Sequence, residues 1–189
     1  DAITYLFVIL IFSLIKYTSI LKEKKHKEDI ISRLKGGFLF LKGEPVIFVF
    51  GLASYMLFAF TLVEIHVLLP DYVKKFLLSE GNVFASAEIY YSFGAIFSGL
   101  MIIRLFKNVK TVYAVIILMS LATLSYYFLS YIDVLWYFFL ANLVIGITNA
   151  GVRILRTTYI FHHVPNNLIG RTNSVFGTLN IVVRMLLIG

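Results

Sequence analysis

Residues 45–69 read PVIFVFGLASYMLFAFTLVEIHVLL, a nearly continuous apolar run with one glutamate and one histidine near its end. The hydrocarbon core of a bilayer is about 30 Å thick, and an α-helix needs about 20 apolar residues to cross it. The run shows no alternation of apolar and polar residues, and a strand of a membrane barrel is only about ten residues long. This stretch therefore predicts a transmembrane helix.

The rest of the chain has the same character. Of its 189 residues, 60% are hydrophobic and only 14% are charged, whereas a soluble domain is about half apolar and about a quarter charged. This composition excludes a disordered chain, and the absence of cysteine excludes a disulfide-stapled secreted domain. We therefore predict an all-α integral membrane protein, a bundle of six transmembrane helices. They run from Ala2 to Leu21, Pro45 to Leu69, Phe84 to Ile103, Thr111 to Ile132, Val134 to Val152 and Thr172 to Gly189.

The cations predict how these helices are oriented. Of the 17 Lys and Arg residues, 14 lie at the first, third and fifth loops, whereas the even-numbered loops hold only Lys74 and Lys75. Arg156 is counted in the fifth loop because the fifth helix is predicted to end at Val152. By the positive-inside rule the odd-numbered loops are cytoplasmic and both ends of the chain lie outside. Both ends lie outside, and the first and last apolar runs extend to within one residue of the ends of the sequence. These two observations predict a piece of a longer polytopic protein that lacks at least one carboxyl-terminal helix.

Small residues predict where the helices pack closely. Gly94 and Ser98, like Gly146 and Ala150, are four residues apart and so share one helix face, which lets membrane helices approach each other. The first and fourth predicted helices contain no glycine. Their separation by three spans suits three-helix repeats with a peripheral member, although six spans with few glycines also show such a pattern by chance.

Ionisable groups inside the membrane are costly and usually functional. Glu64, Glu88 and Arg184 all fall in the outer half of the predicted bundle. A carboxyl group that exchanges a proton as a cavity opens and closes is the physical basis of proton coupling. We therefore assign these three residues to a substrate or proton pathway. The alternative is that the glutamates are interfacial groups wetted by lipid headgroups.

Polar and aromatic residues of the fourth and fifth helices suggest further roles. Asn142 and Asn149 are two helical turns apart, so they share a face. They either line the same pathway or form hydrogen bonds between helices. Aromatic residues around the outer turn between these helices predict an interfacial belt. Its members are Tyr126, Tyr127, Trp136 and Tyr137.

Two further observations limit the range of functions. Residues 22–44 form a long connection rich in lysine, predicted to be a solvated or surface-lying amphipathic segment that touches anionic lipid. No aromatic residue interrupts the lysine cluster of residues 22–27, so nucleic-acid binding is not expected. No catalytic motif is present. The adjacent His162 and His163 point about 100° apart on a helix and make a poor metal pair. We therefore predict no enzyme, no cofactor and no metal site.

Five segments follow one another in a characteristic order. They are DAITY at 1–5, the long basic loop, LLPDYV at 68–73, SFGAIFSG at 92–99 and VPNNLIGRTNSVFG at 164–177. This order resembles the major facilitator superfamily, and within it proton-driven exporters of the macrolide-efflux and enterobactin-exporter type.

The resemblance implies that the six helices correspond to the sixth to eleventh of twelve. Residues 1–21 then end the amino-terminal half, residues 22–44 connect the halves in the cytoplasm, and residues 45–189 form the carboxyl-terminal half without its last helix. The two glycine-free helices fall on the pair that is peripheral in that family. The resemblance also implies a cytoplasmic gate. The family's usual aspartate and second glycine are missing at the loop after the third helix, and the connection before the last helix fits the family better. The gate residues are Gly170 and Arg171, with Arg104 and Lys107 at the equivalent earlier loop.

The resemblance further implies the function. We expect a multi-pass transporter of the plasma membrane that exports small amphipathic molecules such as drugs, macrolides or siderophores by proton antiport, an activity that confers antibiotic resistance. Its partners are the small-molecule substrate, protons and membrane lipid, and the full-length protein is a monomer. The alternative is a non-transporting polytopic membrane protein, either an enzyme acting on lipid or an assembly subunit.

Overall fold

A computed structural model describes residues 2–15, 29–79, 81–132 and 134–189, and their ordered elements are helices. A π-helical turn, Glu64–Leu68, joins α3 to α4 in one continuous helical segment. Because helices satisfy their backbone polar groups internally, they suit a membrane interior. The predicted all-α fold is confirmed. The helices are α1 (Ala2–Leu14), α2 (Ile30–Gly43), α3 (Pro45–Val63), α4 (Leu69–Lys75), α5 (Gly81–Leu105), α6 (Thr111–Leu129), α7 (Leu135–His163) and α8 (Asn166–Ile188).

Within the described ranges, four helical segments are long and apolar enough to cross a membrane. They correspond to the second to fifth predicted spans. Helix α8 has 23 residues, but its polar first turns leave it less apolar than these four. Helix α1 covers the start of the first predicted span, whose residues 16–21 lie outside the described part. The four segments are Pro45–Lys75, Gly81–Leu105, Thr111–Leu129 and Leu135–His163.

Helix α7 is longer than predicted. It continues past Val152 and ends at His163. The next residue, Val164, is extended and directly precedes Pro165. A residue that precedes proline is driven out of the α conformation, which accounts for the end of the helix. The prediction that Arg156 lies in a loop was therefore wrong. It lies within α7 and its side chain is buried.

Helices α5 and α7 approach each other through their small residues. A Cβ atom on Gly94 would overlap the carbonyl oxygen of Leu143, and one on Gly146 would overlap the carbonyl oxygen of Tyr91. Ser98 and Ala150 are buried. The predicted close contact at these small residues is therefore confirmed, with the two backbones in direct contact.

Helices α3, α6 and α8 complete the packing around this pair. Leu118 and Ala122 of α6 share one apolar cluster with Val152 of α7 and Phe50 of α3. Gly51 of α3 leaves space for the ring of Phe176 on α8, where a Cβ atom would overlap it. The opposite side of the glycine-free α6 is exposed; it carries Ile116, Ile117 and Leu124.

The basic connection, predicted to be a solvated or surface-lying amphipathic segment, contains helix α2. Residues Leu34, Gly37 and Leu41 of α2 recur at helical spacing and form one face. Leu41 is completely buried, and Gly37 packs on the backbone of Arg171 at the start of α8. This packing explains why the segment is helical. Residues 22–28 of the connection lie outside the described part.

Candidate functional site

Among the acidic residues that the structure describes, Glu64 alone is buried, with 6% of its surface exposed. The hydroxyl group of Tyr126 on α6 donates a hydrogen bond to Glu64 Oε2 at 3.4 Å and lies 3.4 Å from Thr61 Oγ1. Glu64 Oε1 is buried and forms no hydrogen bond with the described residues. A buried polar atom without a partner is costly and therefore marks a candidate site.

The π-helical turn of residues 64–68 positions this carboxyl group. The N–H of Leu69 donates to the carbonyl oxygen of Glu64, five residues back. Pro70 has no N–H for the carbonyl of His66, so the regular α-helical ladder cannot continue there. A π turn inserts one residue into a helix and is frequent at functional sites. The local sequence thus places the irregular turn at the glutamate.

Both predicted asparagines are buried on α7, and Asn149 bonds to α5. Asn149 Nδ2 donates to the hydroxyl oxygen of Tyr91 on α5 at 2.7 Å. Asn142 Nδ2 donates to the carbonyl oxygen of Phe138 in its own helix at 2.9 Å, and both asparagines are buried. Of the two predicted roles, the geometry of Asn149 is that of a hydrogen bond between helices.

We expect Tyr91→Phe to lower the free energy of unfolding by about 1 kcal/mol, because the buried Asn149 amide loses its partner on α5. Thermal unfolding of the purified protein in detergent measures this change. The matched control is Tyr90→Phe, because the ring of Tyr90 stacks on Phe139 with centroids 5.0 Å apart and this contact needs no hydroxyl group. Equal losses in both variants would contradict a role for the hydrogen bond.

Arg156 was predicted to lie in a loop and was not among the predicted site residues, yet its side chain lies inside the bundle. Its side chain is 5% exposed, its Nη1 donates to the carbonyl oxygen of Ser54 at 3.1 Å, and its Cζ lies 3.6 Å from the ring centroid of Tyr55. On α8, Asn180 Nδ2 donates to the carbonyl oxygen of Tyr55 at 2.9 Å. Side chains from α7 and α8 thus bind adjacent carbonyl groups of α3 and fix the three helices together.

Glu88 and Arg184 occupy different surroundings from Glu64. Glu88 is exposed, on an open and mainly apolar face of α5. Arg184 is half-buried, and its Nε has no hydrogen bond with the described residues. Among the described residues the salt bridge joins Lys75 and Asp71. Arg184 therefore forms no salt bridge with Glu64 or Glu88. The other residues of this face are Ala85, Ile89, Ser92, Phe93 and Ile96.

The predicted gate residues separate into two groups. Arg104 and Lys107 are exposed at the end of α5 and in the loop that follows. Arg171 is half-buried beneath α2, where a Cβ atom on Gly36 would lie 3.1 Å from its Nη1. Gly170 is exposed, with open space where its side chain would be. Of these four residues, Arg171 is the one that lies at a packed contact between helices.

Comparison with known proteins gives one match. The family model of the Major Facilitator Superfamily matches residues 1–187. No curated protein matches the chain. No solved structure matches it either.

Proposed function

Since this chain belongs to the Major Facilitator Superfamily, whose members are transporters of small molecules, we propose that it exports small amphipathic molecules in exchange for protons. The family and the apolar helices make it a multi-pass membrane transporter. Drugs, macrolides and siderophores are the proposed substrates, and export across the plasma membrane would confer antibiotic resistance. In this proposal α1 belongs to the amino-terminal half and α3 to α8 to the carboxyl-terminal half.

The buried carboxyl group of Glu64 carries the proposal of proton coupling. It follows the end of α3 and faces α6. A tyrosine hydroxyl group donates to one of its oxygens, and the other has no hydrogen-bond partner among the described residues. A carboxyl group that is dry in one conformation and wet in another binds a proton in the first and releases it in the second. If rocking of the two halves opens this region to water, proton transfer at Glu64 is coupled to the conformational cycle.

The open face of α5 supports an amphipathic substrate. This exposed face holds the carboxylate of Glu88 and the hydroxyl group of Ser92 among mainly apolar side chains. We propose that Glu88 and Ser92 contact the polar end of the substrate and that Phe93 and Ile96 contact its apolar part.

The remaining assigned residues support these two sites. We propose that Asn149 maintains the contact of α5 with α7 through its hydrogen bond to Tyr91, so that Glu88 moves together with the rest of the half. Asn142 stays a predicted member of the pathway. Arg184 would offer its unpartnered Nε to a polar substrate group or to water on the same pathway. Arg171 and Gly170 would close the cytoplasmic side through α2, with Arg104 and Lys107 at the equivalent earlier connection.

Proteoliposomes that contain the full-length protein test this function. An inwardly directed proton gradient is expected to accelerate the exit of a preloaded fluorescent amphipathic probe, and an ionophore that collapses the gradient should remove the acceleration. Vesicles without protein provide the background rate. Exit at the background rate for every probe of a chemically varied panel would contradict export and favour the non-transporting alternative.

A further inference from the structure

Helix α2 is held at the boundary of a membrane span. A single residue, Glu44, separates it from α3, and the Glu44 N–H donates to the carbonyl oxygens of Phe40 and Leu41 at 3.1 and 3.2 Å. The membrane-spanning segment begins at the next residue, Pro45. Because the connection is so short, the carboxyl end of α2 lies at the depth where α3 enters the bilayer.

One face of α2 covers the first turns of α8. A Cβ atom on Gly37 would lie 2.7 Å from the carbonyl oxygen of Arg171 and 3.1 Å from a methyl group of Val175. Leu41, one turn later on the same face, is completely buried. The helix is therefore fixed with this face toward the bundle, and its other face points away.

The outward face has two parallel lines of side chains. Ile31 and Phe38 are seven residues apart, which is almost two turns, and are 72% and 52% exposed. Lys35 and Lys42 have the same spacing, lie beside the first line and are also exposed. Residues 30–43 contain no Asp or Glu. Apolar side chains beside lysines on one exposed face are typical of helices that lie in the membrane interface.

We propose that this face binds anionic lipid. Ile31 and Phe38 enter the acyl boundary, and the ammonium groups of Lys35 and Lys42 bind the phosphates of the headgroups above it. A lysine stem is long enough to reach the phosphate from an apolar position, and cations next to a membrane surface are attracted to anionic lipids. The bound lipid then holds α2 against Arg171 at the start of α8. This inference goes beyond the proposed function and does not depend on proton coupling or on the direction of transport.

Hydrogen exchange of the full-length protein in lipid nanodiscs tests the proposal. Amides of residues 30–43 are expected to exchange about ten-fold more slowly when part of the zwitterionic phosphatidylcholine is replaced by phosphatidylglycerol, and high salt should reduce this effect. The double variant K35Q/K42Q should lose the dependence on phosphatidylglycerol. The matched control K107Q/K110Q removes two exposed cations elsewhere and should keep it.

Three results would overturn the inference. The first is equal exchange in both lipid mixtures, and the second is loss of the effect in K107Q/K110Q as well as in K35Q/K42Q. The third is slow exchange in phosphatidylcholine discs after addition of millimolar inorganic phosphate, which would assign the lysines to a free anion.

A variant of the apolar line tests its insertion separately. Phe38→Ser keeps every charge and should reduce the effect of phosphatidylglycerol on exchange. An unchanged effect would overturn insertion of the apolar line.

Discussion

Replacing Gly94 or Gly146 by alanine is expected to destabilise the protein by about 1–3 kcal/mol in each case. In both positions the added methyl group would overlap a backbone carbonyl oxygen of the facing helix, Leu143 for Gly94 and Tyr91 for Gly146. A backbone atom cannot rotate away as the end of a side chain can, so α5 and α7 have to separate. The free energy of unfolding in detergent measures the loss.

Gly99→Ala is the matched control on the same helix. A Cβ atom at this position meets nothing within 4 Å. Alanine is the better helix former, by about 0.8–1 kcal/mol, so this variant should be as stable as the original protein or more stable. If all three variants were equally stable, the backbone contact between α5 and α7 would not be what holds these helices together.

Glu64→Gln is expected to abolish the response of export to a proton gradient while the protein stays folded. Glutamine has nearly the same shape and still accepts a hydrogen bond from Tyr126, but it carries no exchangeable carboxyl proton. Export in the presence of the gradient should fall to the rate measured without a gradient, because intramembrane carboxyl groups form the proton relays of transporters. Exchange of labelled for unlabelled substrate without a gradient should continue, because that exchange needs no net proton transfer.

Glu44→Gln is the control for this prediction. It makes the same chemical change at an exposed glutamate in the connection between α2 and α3 and should leave both gradient-driven export and exchange unchanged. Retention of the full gradient response by Glu64→Gln would remove Glu64 from the proton pathway. Loss of exchange as well as gradient-driven export would indicate a structural role instead.

The helices and their closest contact could be predicted from the sequence because their signals are local. A span requires a long apolar run, and the contact of α5 with α7 requires small residues four apart, as at Gly94 and Ser98. The end of α7 could not be placed by apolarity, since the helix continues beyond the apolar run through polar residues to His163. This error put Arg156 in a loop. A spacing of seven residues is the signal that was overlooked. It places Asn142, Asn149 and Arg156 on one face of the helix.

The candidate site was only partly predictable, because burial depends on which helices are neighbours. Glu64 and Glu88 looked alike in sequence, yet one lies inside the bundle and the other on an open face. Tyr126 was assigned to the interfacial belt, and its hydroxyl group instead reaches Glu64 across the contact of α3 with α6. Trp136, another predicted belt residue, is exposed as expected.

Movement of protons in response to substrate is the most direct test of proton-coupled export. Proteoliposomes with the full-length protein and a trapped pH dye are loaded with a permanently charged amphipathic ammonium probe, which carries no proton itself, and are diluted into probe-free buffer at the same pH. Exit of the probe is predicted to acidify the lumen, since each molecule that leaves is exchanged for protons that enter. Exit without a change of pH, or with a rise in the pH of the lumen, would contradict the account.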